Sequence, residues 1–286
     1  MNTFYVISNT QKDPELRNAK IIQEFLRKKG KKCHIQTTKS NGVQEHYRYT
    51  DPGGIPEDVE CVLVLGGDGT LLQAARDLVD RGLPLLGINM GTLGYLAEID
   101  RKNIRPALEK LIREEYSVEH RMMITGTAYH QKRKLLEDIA LNDIVITRGG
   151  RMRVVDFQVL VDGEFLCGYS ADGIIVSTPT GSTGYNLSAG GPIVSPEASL
   201  MVLTAVAPHT LNARPIVLPE DVEITIQMGT AHGADADGAV ATFDGDTMVR
   251  LNAGDKIVIT KSQRKAALVK TKQTSFLEIL REKMNK

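Results

Sequence analysis

Cysteine is scarce in this sequence of 286 residues. The three cysteines, Cys33, Cys61 and Cys167, lie far apart and form no CxxC pair, so neither a zinc site nor a redox dithiol is predicted. The N-terminus lacks the basic region and long apolar segment of a signal peptide. These absences favour a reduced, cytoplasmic setting.

An excess of charge of one sign is also missing. The chain has 35 basic and 35 acidic residues, so its net charge is zero and nothing favours nonspecific binding to nucleic acid or to a membrane surface. No apolar run approaches the roughly 18 residues of a membrane span. The six histidines show no paired metal spacing, so no metal ligands are predicted. We therefore expect neither a nucleic-acid partner nor a membrane partner.

Strands and helices alternate in the first third of the sequence. Short apolar segments are typical of buried strands, and apolar residues at helical spacing separate them. The predicted strands are 3–8, 34–37, 62–65 and 85–88, and the predicted helices are 14–29 and one that begins after Thr70. This alternation favours a doubly wound, Rossmann-like parallel sheet, which we place at residues 1–100.

The rest of the chain is rich in strand patterns. Residues 154–161 and 164–169 flank Asp162-Gly163, a pair that suits the type I′ turn of a hairpin. Further strands are predicted at 173–177, 216–218, 222–228, 240–243, 248–251 and 256–260. The pattern predicts a β-rich, sandwich-like domain over residues 101–265. A capping box of Ser275 and Glu278 begins a helix within 266–286, and we expect its apolar face to pack back on the first domain.

The segment Gly66-Gly67-Asp68-Gly69-Thr70 follows a strongly predicted strand and precedes a helix. Backbone N–H groups at the start of a helix favour phosphate, and ligands of parallel sheets bind beyond the carboxyl ends of the strands. The segment matches neither the Walker A loop nor GxGxxG, so a phosphate bound here would meet no P-loop lysine. The alternative is an ordinary glycine turn in which Asp68 or Thr70 caps the helix.

A second cluster of polar and small residues runs from Ser170 to Pro192. It combines six Ser and Thr side chains between Ser177 and Ser188 with several glycines and Tyr185. Hydroxyl and backbone N–H groups can cradle phosphates, and a tyrosine ring can stack on a nucleobase. The alternative is a connection between strands that happens to be rich in Ser and Thr.

The pair Asn142-Asp143 lies between two apolar triplets, at 139–141 and 144–146. Two adjacent polar side chains in such surroundings require partners if they are buried. An amide and a carboxylate together can bind the hydroxyls of a ribose or the edge of a base. The alternative is that one of them faces solvent while the other caps a turn.

Taken together, these motifs resemble the ATP-NAD kinase family. GGDGT at 66–70, the Asn-Asp pair at 142–143 and DGIIVSTPTGSTGYNLSAGGPIVSP at 172–196 are similar to the family in identity, order and spacing. ALNDIVI at 140–146, APHTLNARPIVL at 207–218 and TFDGD at 242–246 also fit. The resemblance therefore covers most of the chain.

The resemblance implies a nucleotide-binding α/β domain, an NAD-binding domain like a β-sandwich and an active site between them. The implied reaction transfers the γ-phosphoryl group of ATP to the 2′-hydroxyl of the adenosine ribose of NAD, which gives NADP. ATP is the implied donor, NAD the substrate, and Mg²⁺ is carried by the nucleotide. A homodimer or a homotetramer is the implied assembly.

The resemblance also implies roles for individual residues. Asp68 is the implied proton acceptor. Asn142 and Asp143 are implied to hold the adenosine part, and Asp172 the second nucleoside. The other positions that the resemblance assigns to substrate binding are Gly69, Arg153, Ser170, Thr183, Gly184, Tyr185, Asn186, Leu187, Ser188 and Asp246.

The chain departs from the family pattern at three of these positions. Asp143 stands where Glu is usual, Gly184 where Ala is usual, and Asp246 where Gln is common. Two other functions remain open at this point. A lipid kinase of the diacylglycerol type shares GGDGT, but its GTGND-like segment is replaced here by GTLGY at 91–95. The second open function is a dinucleotide sensor that keeps the fold but has no turnover.

Overall fold

The computed structural model describes residues 1–36, 50–91, 94–97, 99–150, 154–210, 212–229, 238–271 and 275–285. Contacts within the chain divide it into two units. The first contains residues 1–121 and 265–286, and the second contains residues 122–264. The domain boundaries expected from the sequence, at 100/101 and 265/266, stay predictions.

The first unit is built on a parallel sheet. Within the described residues, its strands follow the order β2-β1-β3-β4, and β5 pairs with β4. The elements are β1 (Thr3–Ser8), α1 (Arg17–Lys28), β2 (Lys32–Ile35), β3 (Cys61–Gly66), α2 (Asp68–Asp77), β4 (Leu85–Asn89), β5 (Ile99–Asp100) and α3 (Ile104–Ile112). The chain leaves β1 toward β2 and leaves β3 toward β4, so the connections change direction between β1 and β3. This is the position at which doubly wound sheets bind ligands, and the predicted α/β fold is confirmed.

The core of this unit consists of apolar side chains from the sheet and from two of its helices. Phe4, Leu63 and Leu86 on neighbouring strands pack in one cluster with Ile22 of α1 and Leu108 of α3, and all five are almost fully buried. Every residue of β1, β3 and β4 is buried. Strands of that kind carry near-continuous apolar runs, which is why the sequence predicted them well.

The second unit is made of antiparallel strands in two layers. One layer has the order β13-β12-β11-β8-β15-β16, and in the other β10-β9-β14-β17 run side by side while β6 pairs with β7. The elements are β6 (Ser117–His130), β7 (Arg133–Ala140), β8 (Asp143–Arg148), β9 (Val155–Val161), β10 (Glu164–Ala171), β11 (Gly173–Ser177), α4 (Tyr185–Ser188), β12 (Leu200–Val206), β13 (Ile216–Pro219), β14 (Ile224–Met228), β15 (Ala239–Phe243), β16 (Thr247–Leu251) and β17 (Lys256–Lys270). Phe243 of the first layer and Phe157 of the second belong to one buried cluster, so the predicted sandwich is confirmed.

Two hairpins of this unit turn on Asp-Gly pairs. Asp162 and Gly163 have φ of 51° and 81° between β9 and β10, and Asp244 and Gly245 have φ of 51° and 72° between β15 and β16. Positive φ at both central residues is the signature of the type I′ turn. The predicted hairpin at 154–169 is thereby confirmed.

The C-terminal helix, α5 (Phe276–Met284), belongs to the first unit. Ser275 Oγ accepts a hydrogen bond of 3.2 Å from the backbone N–H of Glu278, as the predicted capping box requires. The Lys283 ammonium lies 5.2 Å from the centre of the Tyr95 ring. Leu277 and Met284 are 72% and 73% exposed, so the contacts within the unit leave part of the predicted apolar face uncovered.

Several boundaries differ from the sequence predictions. The helix expected at 14–29 begins at Arg17, because Glu15 and Leu16 have positive φ and form a separate turn. The second strand lies at Lys32–Ile35 instead of 34–37, and residue 37 is outside the described residues. The strand expected at 256–260 continues to Lys270. No helix in the described ranges combines the length and the apolarity that crossing a bilayer demands.

Candidate active site

A cavity of about 470 Å³ lies at the carboxyl ends of β1 and β3 in the first unit. It is where the connections of the sheet change direction, the place where such sheets bind ligands. Two loops line it, one after each strand. The lining residues are Asn9, Thr10, Gln11, Lys12, Gly67, Asp68, Gly69, Thr70 and Gln73.

The GGDGT segment forms the tight connection from β3 to α2. A Cβ on Gly66 would lie 2.3 Å from Thr70 Oγ1, so only glycine fits there. Gly67 is the residue before the helix, and no side chain of the described residues caps the helix start. The alternative that Asp68 or Thr70 caps α2 is therefore wrong.

The carboxylate of Asp68 is held by a second backbone segment. Its Oδ2 accepts a hydrogen bond of 2.7 Å from Tyr95 N–H, and its Oδ1 accepts bonds of 3.3 and 3.1 Å from Leu96 and Ala97 N–H. A Cβ on Gly94 would lie 2.0 Å from Asp68 Oδ1. Asp68 is also the first residue of α2, where the helix dipole favours a negative charge. Its carboxylate is thus fixed in orientation at the cavity.

Lys12 is a cavity residue that the sequence reasoning missed. A Cβ on Gly67 would lie 2.7 Å from Lys12 Nζ, and one on Gly91 would lie 3.9 Å from it. The ammonium therefore occupies the space over the glycines that follow β3 and β4. The only sequence signal was its position shortly after the first strand of the sheet.

The loop that carries Lys12 is anchored by a fully buried carboxylate, Asp13. Its oxygens accept hydrogen bonds from Ser8 Oγ, from the backbone and side-chain N–H of Asn18, and from Ala19 N–H, at 2.8 to 3.1 Å. Burial alone would raise the pKa of Asp13, but these hydrogen bonds outweigh it and lower the pKa. The buried carboxylate of Asp13 therefore fixes the loop before α1.

In the second unit, Asn142 and Asp143 are held by the turn between β15 and β16. Asp244 accepts hydrogen bonds from the backbone N–H of Leu141, Asn142 and Asp143, at 2.8, 2.8 and 3.1 Å. Asp143 is only 6% exposed, so the alternative that one residue of the pair faces solvent does not apply to it. The sequence analysis included Asp244 only within the TFDGD motif and did not predict that its carboxylate clamps the backbone at residues 141–143.

The polar atoms of this pair are unusual in two ways. Asn142 Oδ1 is buried, and no donor among the described residues reaches it. Burial raises the pKa of Asp143 to about 7, and the charge of Asp244 acts in the same direction. A buried acceptor without a partner costs free energy unless a ligand supplies the donor.

The hydroxyl groups of the segment 177–188 mostly serve the fold. Ser177, Thr178, Ser182 and Thr183 all donate to backbone carbonyl groups of their own unit. The hydroxyl groups of Ser177, Thr178 and Ser182 are fully buried and satisfied within the fold. Thr183 is half-buried, and contact of this segment with a phosphate stays a prediction.

Asn186 also has a structural role, whereas Tyr185 is accessible. The amide of Asn186 is fully buried and bonds Ser182 O, Pro192 O and Thr204 Oγ1. Its contact with a dinucleotide stays a prediction. Tyr185 is 44% exposed, so its ring is available for stacking.

Three further predicted residues of the second unit, Ser170, Asp172 and Asp246, lie at or beside strand ends. Asp172 forms an ion pair of 3.2 Å with Arg148 Nε, and Ser170 Oγ donates to Asp156. Asp246 is half-buried just before β16. Arg153 lies outside the described residues. Among the residues that the structure describes, no group of three or more His, Cys, Asp or Glu side chains is placed to hold a metal ion.

Comparison with known proteins places this architecture in one family. The ATP-NAD kinase N-terminal domain matches residues 6–116, and the ATP-NAD kinase C-terminal domain matches residues 141–271. NAD kinase from Lachnospira eligens is 45% identical over 99% of this chain and 100% of its own. NAD kinase from Lachnoclostridium phytofermentans is 43% identical over 99% of both chains.

Solved structures show the same fold. The NAD kinase of Archaeoglobus fulgidus, solved in complex with ATP, has a TM-score of 0.78 at 26% identity, over 100% of this chain and 99% of its own. Yeast NADH kinase complexed with NADH has a TM-score of 0.84 over 100% of this chain and 88% of its own, and at 24% identity it supports the fold alone. Two matched domains and relatives of full length agree: the chain belongs to the ATP-NAD kinase family.

Proposed function

We propose that Asp68 accepts the proton of the 2′-hydroxyl of NAD when the γ-phosphoryl group of ATP is transferred to it. The reaction itself follows from the family: the chain is an NAD kinase, a phosphotransferase with an alcohol group as acceptor. The roles of single residues are the proposal. The observation that carries it is the fixed carboxylate of Asp68 in the cavity beyond β1 and β3.

The number of hydrogen bonds at Asp68 leaves room for a substrate. An ionised carboxylate has about four lone-pair sites. Three are used by the N–H groups of Tyr95, Leu96 and Ala97. The remaining site can accept the proton of the ribose hydroxyl as the bond between oxygen and phosphorus forms, because proton acceptance requires only a carboxylate within hydrogen-bond reach. Phosphoryl transfer depends mainly on positioning and charge neutralisation. A preorganised carboxylate contributes to the positioning of the hydroxyl.

The adenosine of NAD is assigned to Asn142 and Asp143. Asn142 Oδ1 is buried without a donor from the described residues, and a ribose hydroxyl or the amino group of adenine would supply one. The clamp by Asp244 holds the backbone of both residues in place. Asp143 replaces the usual Glu and is shorter by one methylene, so we assign it a shorter reach or a contact through water.

The other predicted contacts are assigned by the resemblance. Tyr185 stacks on a base, and its neighbours in the segment 183–188 contact the substrates. Gly69 and Asp246 contact the substrates as well. Asp172 contacts the second nucleoside while its ion pair with Arg148 fixes its carboxylate. Arg153 keeps its predicted role in dinucleotide binding.

Magnesium enters with ATP in this proposal. Because the remaining site of Asp68 is assigned to the ribose hydroxyl, phosphate oxygens and water would supply most ligands of the ion, with neutral oxygens of the cavity such as those of Asn9 and Thr70 beside them. Such a set fits Mg²⁺, which binds through few protein carboxylates and keeps phosphate and water as its other ligands. The ion supplies positive charge to the triphosphate. ATP as the donor is supported by the Archaeoglobus relative, which was solved with it.

A cytoplasmic setting and a homodimer or homotetramer complete the proposal. Size-exclusion chromatography with light scattering at several concentrations tests the assembly, and a strictly monomeric protein would contradict it. The two alternatives left open by the sequence, a sensor without turnover and a lipid kinase, gain no support from the two matched domains.

The test of Asp68 is its replacement by Asn, which keeps the shape and removes the charge. The variant is incubated with NAD, ATP and magnesium, and NADP is detected with an NADP-specific dehydrogenase. We expect an intact fold, NAD affinity within about twofold and turnover lowered by about 10²-fold or more, which is the usual range for general acid–base catalysis. Near-normal turnover would refute the role of Asp68. Tight NAD binding by the wild type without any NADP would favour the sensor, and phosphorylated diacylglycerol would favour the lipid kinase.

A further inference from the structure

The GGDGT cavity contains a cation that its sequence motif does not supply. Lys12 lines the cavity together with Asp68, and its ammonium lies directly over Gly67. No described residue forms a salt bridge with Lys12. The charge of this lysine is therefore available to a ligand of the cavity.

The backbone position of Lys12 is fixed by the fold, and its side chain is exposed. Asn9 N–H donates to Leu65 O, and Asn9 O accepts from the N–H groups of Lys12 and Asp13, at 2.8 to 2.9 Å. The Asn9 amide also reaches Thr70 Oγ1 at 3.3 Å, which ties the loop to the GGDGT segment. Together with the four hydrogen bonds of Asp13, these contacts fix the backbone from which Lys12 extends.

Gly67 leaves space for this ammonium. A Cβ on Gly67 would stand 2.7 Å from Lys12 Nζ, so the ammonium would have to move, whereas one on Gly91 would be at the ordinary contact distance of 3.9 Å. The lysine thereby reaches the edge where the two neighbouring strands β3 and β4 end. A positive charge at that edge, added to the N-terminus of α2, suits an anion of high charge density.

We infer that Lys12 binds the triphosphate of ATP and takes the part that a P-loop lysine takes in other kinases. The inference rests on the proposed function, because the phosphoryl group must pass beside the hydroxyl whose proton Asp68 accepts. The donor phosphates then lie in the cavity that Lys12 lines. The triphosphate carries more charge than the pyrophosphate of NAD, so ATP gains more from the lysine.

The test compares Lys12→Met, which removes the charge and keeps the length, with Lys12→Arg, which keeps the charge. Lys20→Met is the matched control, because Lys20 is an exposed lysine on α1 that lines a different groove. Binding of MgATP and of NAD is measured separately by calorimetry, and initial rates are measured against ATP at saturating NAD. Melting temperatures confirm that each variant is folded.

We expect Lys12→Met to weaken MgATP binding about 10-fold, equivalent to about 1.4 kcal/mol, and to leave NAD affinity within about twofold. Lys12→Arg should recover most of the loss, and Lys20→Met should resemble the wild type. The inference is overturned if Lys12→Met binds MgATP normally, or if it loses NAD affinity instead. If Asp68→Asn keeps normal turnover, Asp68 is not the proton acceptor. The effect of Lys12→Met on MgATP affinity does not depend on that outcome.

A second measurement needs no variant. The wild-type protein is acetylated with acetic anhydride, and the modification of Lys12 is followed by mass spectrometry. MgATP should protect Lys12 several-fold, whereas NAD should not, and Lys20 should react equally in all samples. Equal acetylation of Lys12 with and without MgATP would overturn the inference.

Discussion

Gly94 and Asp68 fit each other so closely that the carboxylate occupies the space of the missing side chain. A Cβ on Gly94 would lie 2.0 to 2.1 Å from three atoms of the Asp68 carboxylate. The next three residues donate their backbone N–H groups to the same carboxylate. The segment after β4 is thus shaped around the proposed base.

Gly94→Ala should therefore impair catalysis without unfolding the protein. The added methyl group forces the carboxylate of Asp68 out of its three hydrogen bonds. Hydrogen bonds to charged groups contribute roughly 1.5–3 kcal/mol each, but water replaces part of the loss, so we expect a melting temperature lower by a few degrees. Turnover should fall at least 10-fold, since displacement by about 1 Å costs about 10²-fold in oriented reactions.

Gly54→Ala is the control for this substitution. A Cβ on Gly54 would meet no atom within 4 Å, and the residue lies in a turn of the same unit. Its turnover and melting temperature should match those of the wild type. If Gly94→Ala also retains full turnover, the packing of Gly94 on Asp68 has no role in catalysis.

Asp244→Ala should weaken both the second unit and NAD binding. The carboxylate accepts three backbone N–H groups around Asn142, and its removal leaves those donors to water. We expect a loss of roughly 2–4 kcal/mol in the free energy of unfolding, measured by urea denaturation. The KM for NAD should rise at least several-fold while the KM for ATP changes little. Asp221→Ala, at an exposed turn, should change neither, and equal effects of the two substitutions would contradict the clamp.

The elements of this fold were predictable where the pattern is local. The buried strands β1, β3 and β4 are continuous apolar runs, and the Asp162-Gly163 turn carries its own signature. The start of α1 was missed, because positive φ at Glu15 and Leu16 is set by the anchoring of Asp13, not by apolar spacing.

The site was predictable only as far as its motifs reach. Asp68 was found because GGDGT is contiguous, but its partners lie 27 to 29 residues away. Asp244 contacts residues 101 to 103 positions earlier, and no periodicity records such a contact. The sequence also could not show that the hydroxyls of Thr178 and Ser182 are spent on the fold, because that depends on their burial.

Asp13→Asn should lower the stability of the first unit at neutral pH and have a smaller effect in acid. Because its folded-state pKa is lowered, Asp13 stabilises the protein above the ordinary pKa of about 3.9, and that stability is lost as pH falls through the folded pKa. The variant should be less stable than the wild type at neutral pH, and the difference should shrink toward pH 3. Urea denaturation between pH 3 and 7 measures it. A difference that is constant over this range would contradict a charged, hydrogen-bonded Asp13.

Asp143 should give the stability of the second unit the opposite dependence on pH. Its pKa is raised to about 7 by burial first and by the charge of Asp244 second, whereas an unfolded Asp titrates near 3.9. The folded state therefore binds the proton more tightly. The stability that this proton provides is complete below about pH 4 and is lost as pH rises through about 7.

The substitution Asp143→Asn isolates this contribution because it removes the titrating group and keeps the size of the side chain. The free energy of unfolding of the wild type minus that of the variant should fall by about 1 kcal/mol for each pH unit between pH 5 and 7, close to the limit of 1.36 for one proton. Asp221→Asn should show no such slope. If the difference in the free energy of unfolding does not change with pH, Asp143 is charged in the folded protein throughout this range. An interaction other than protonation must then stabilise its charge beside Asp244.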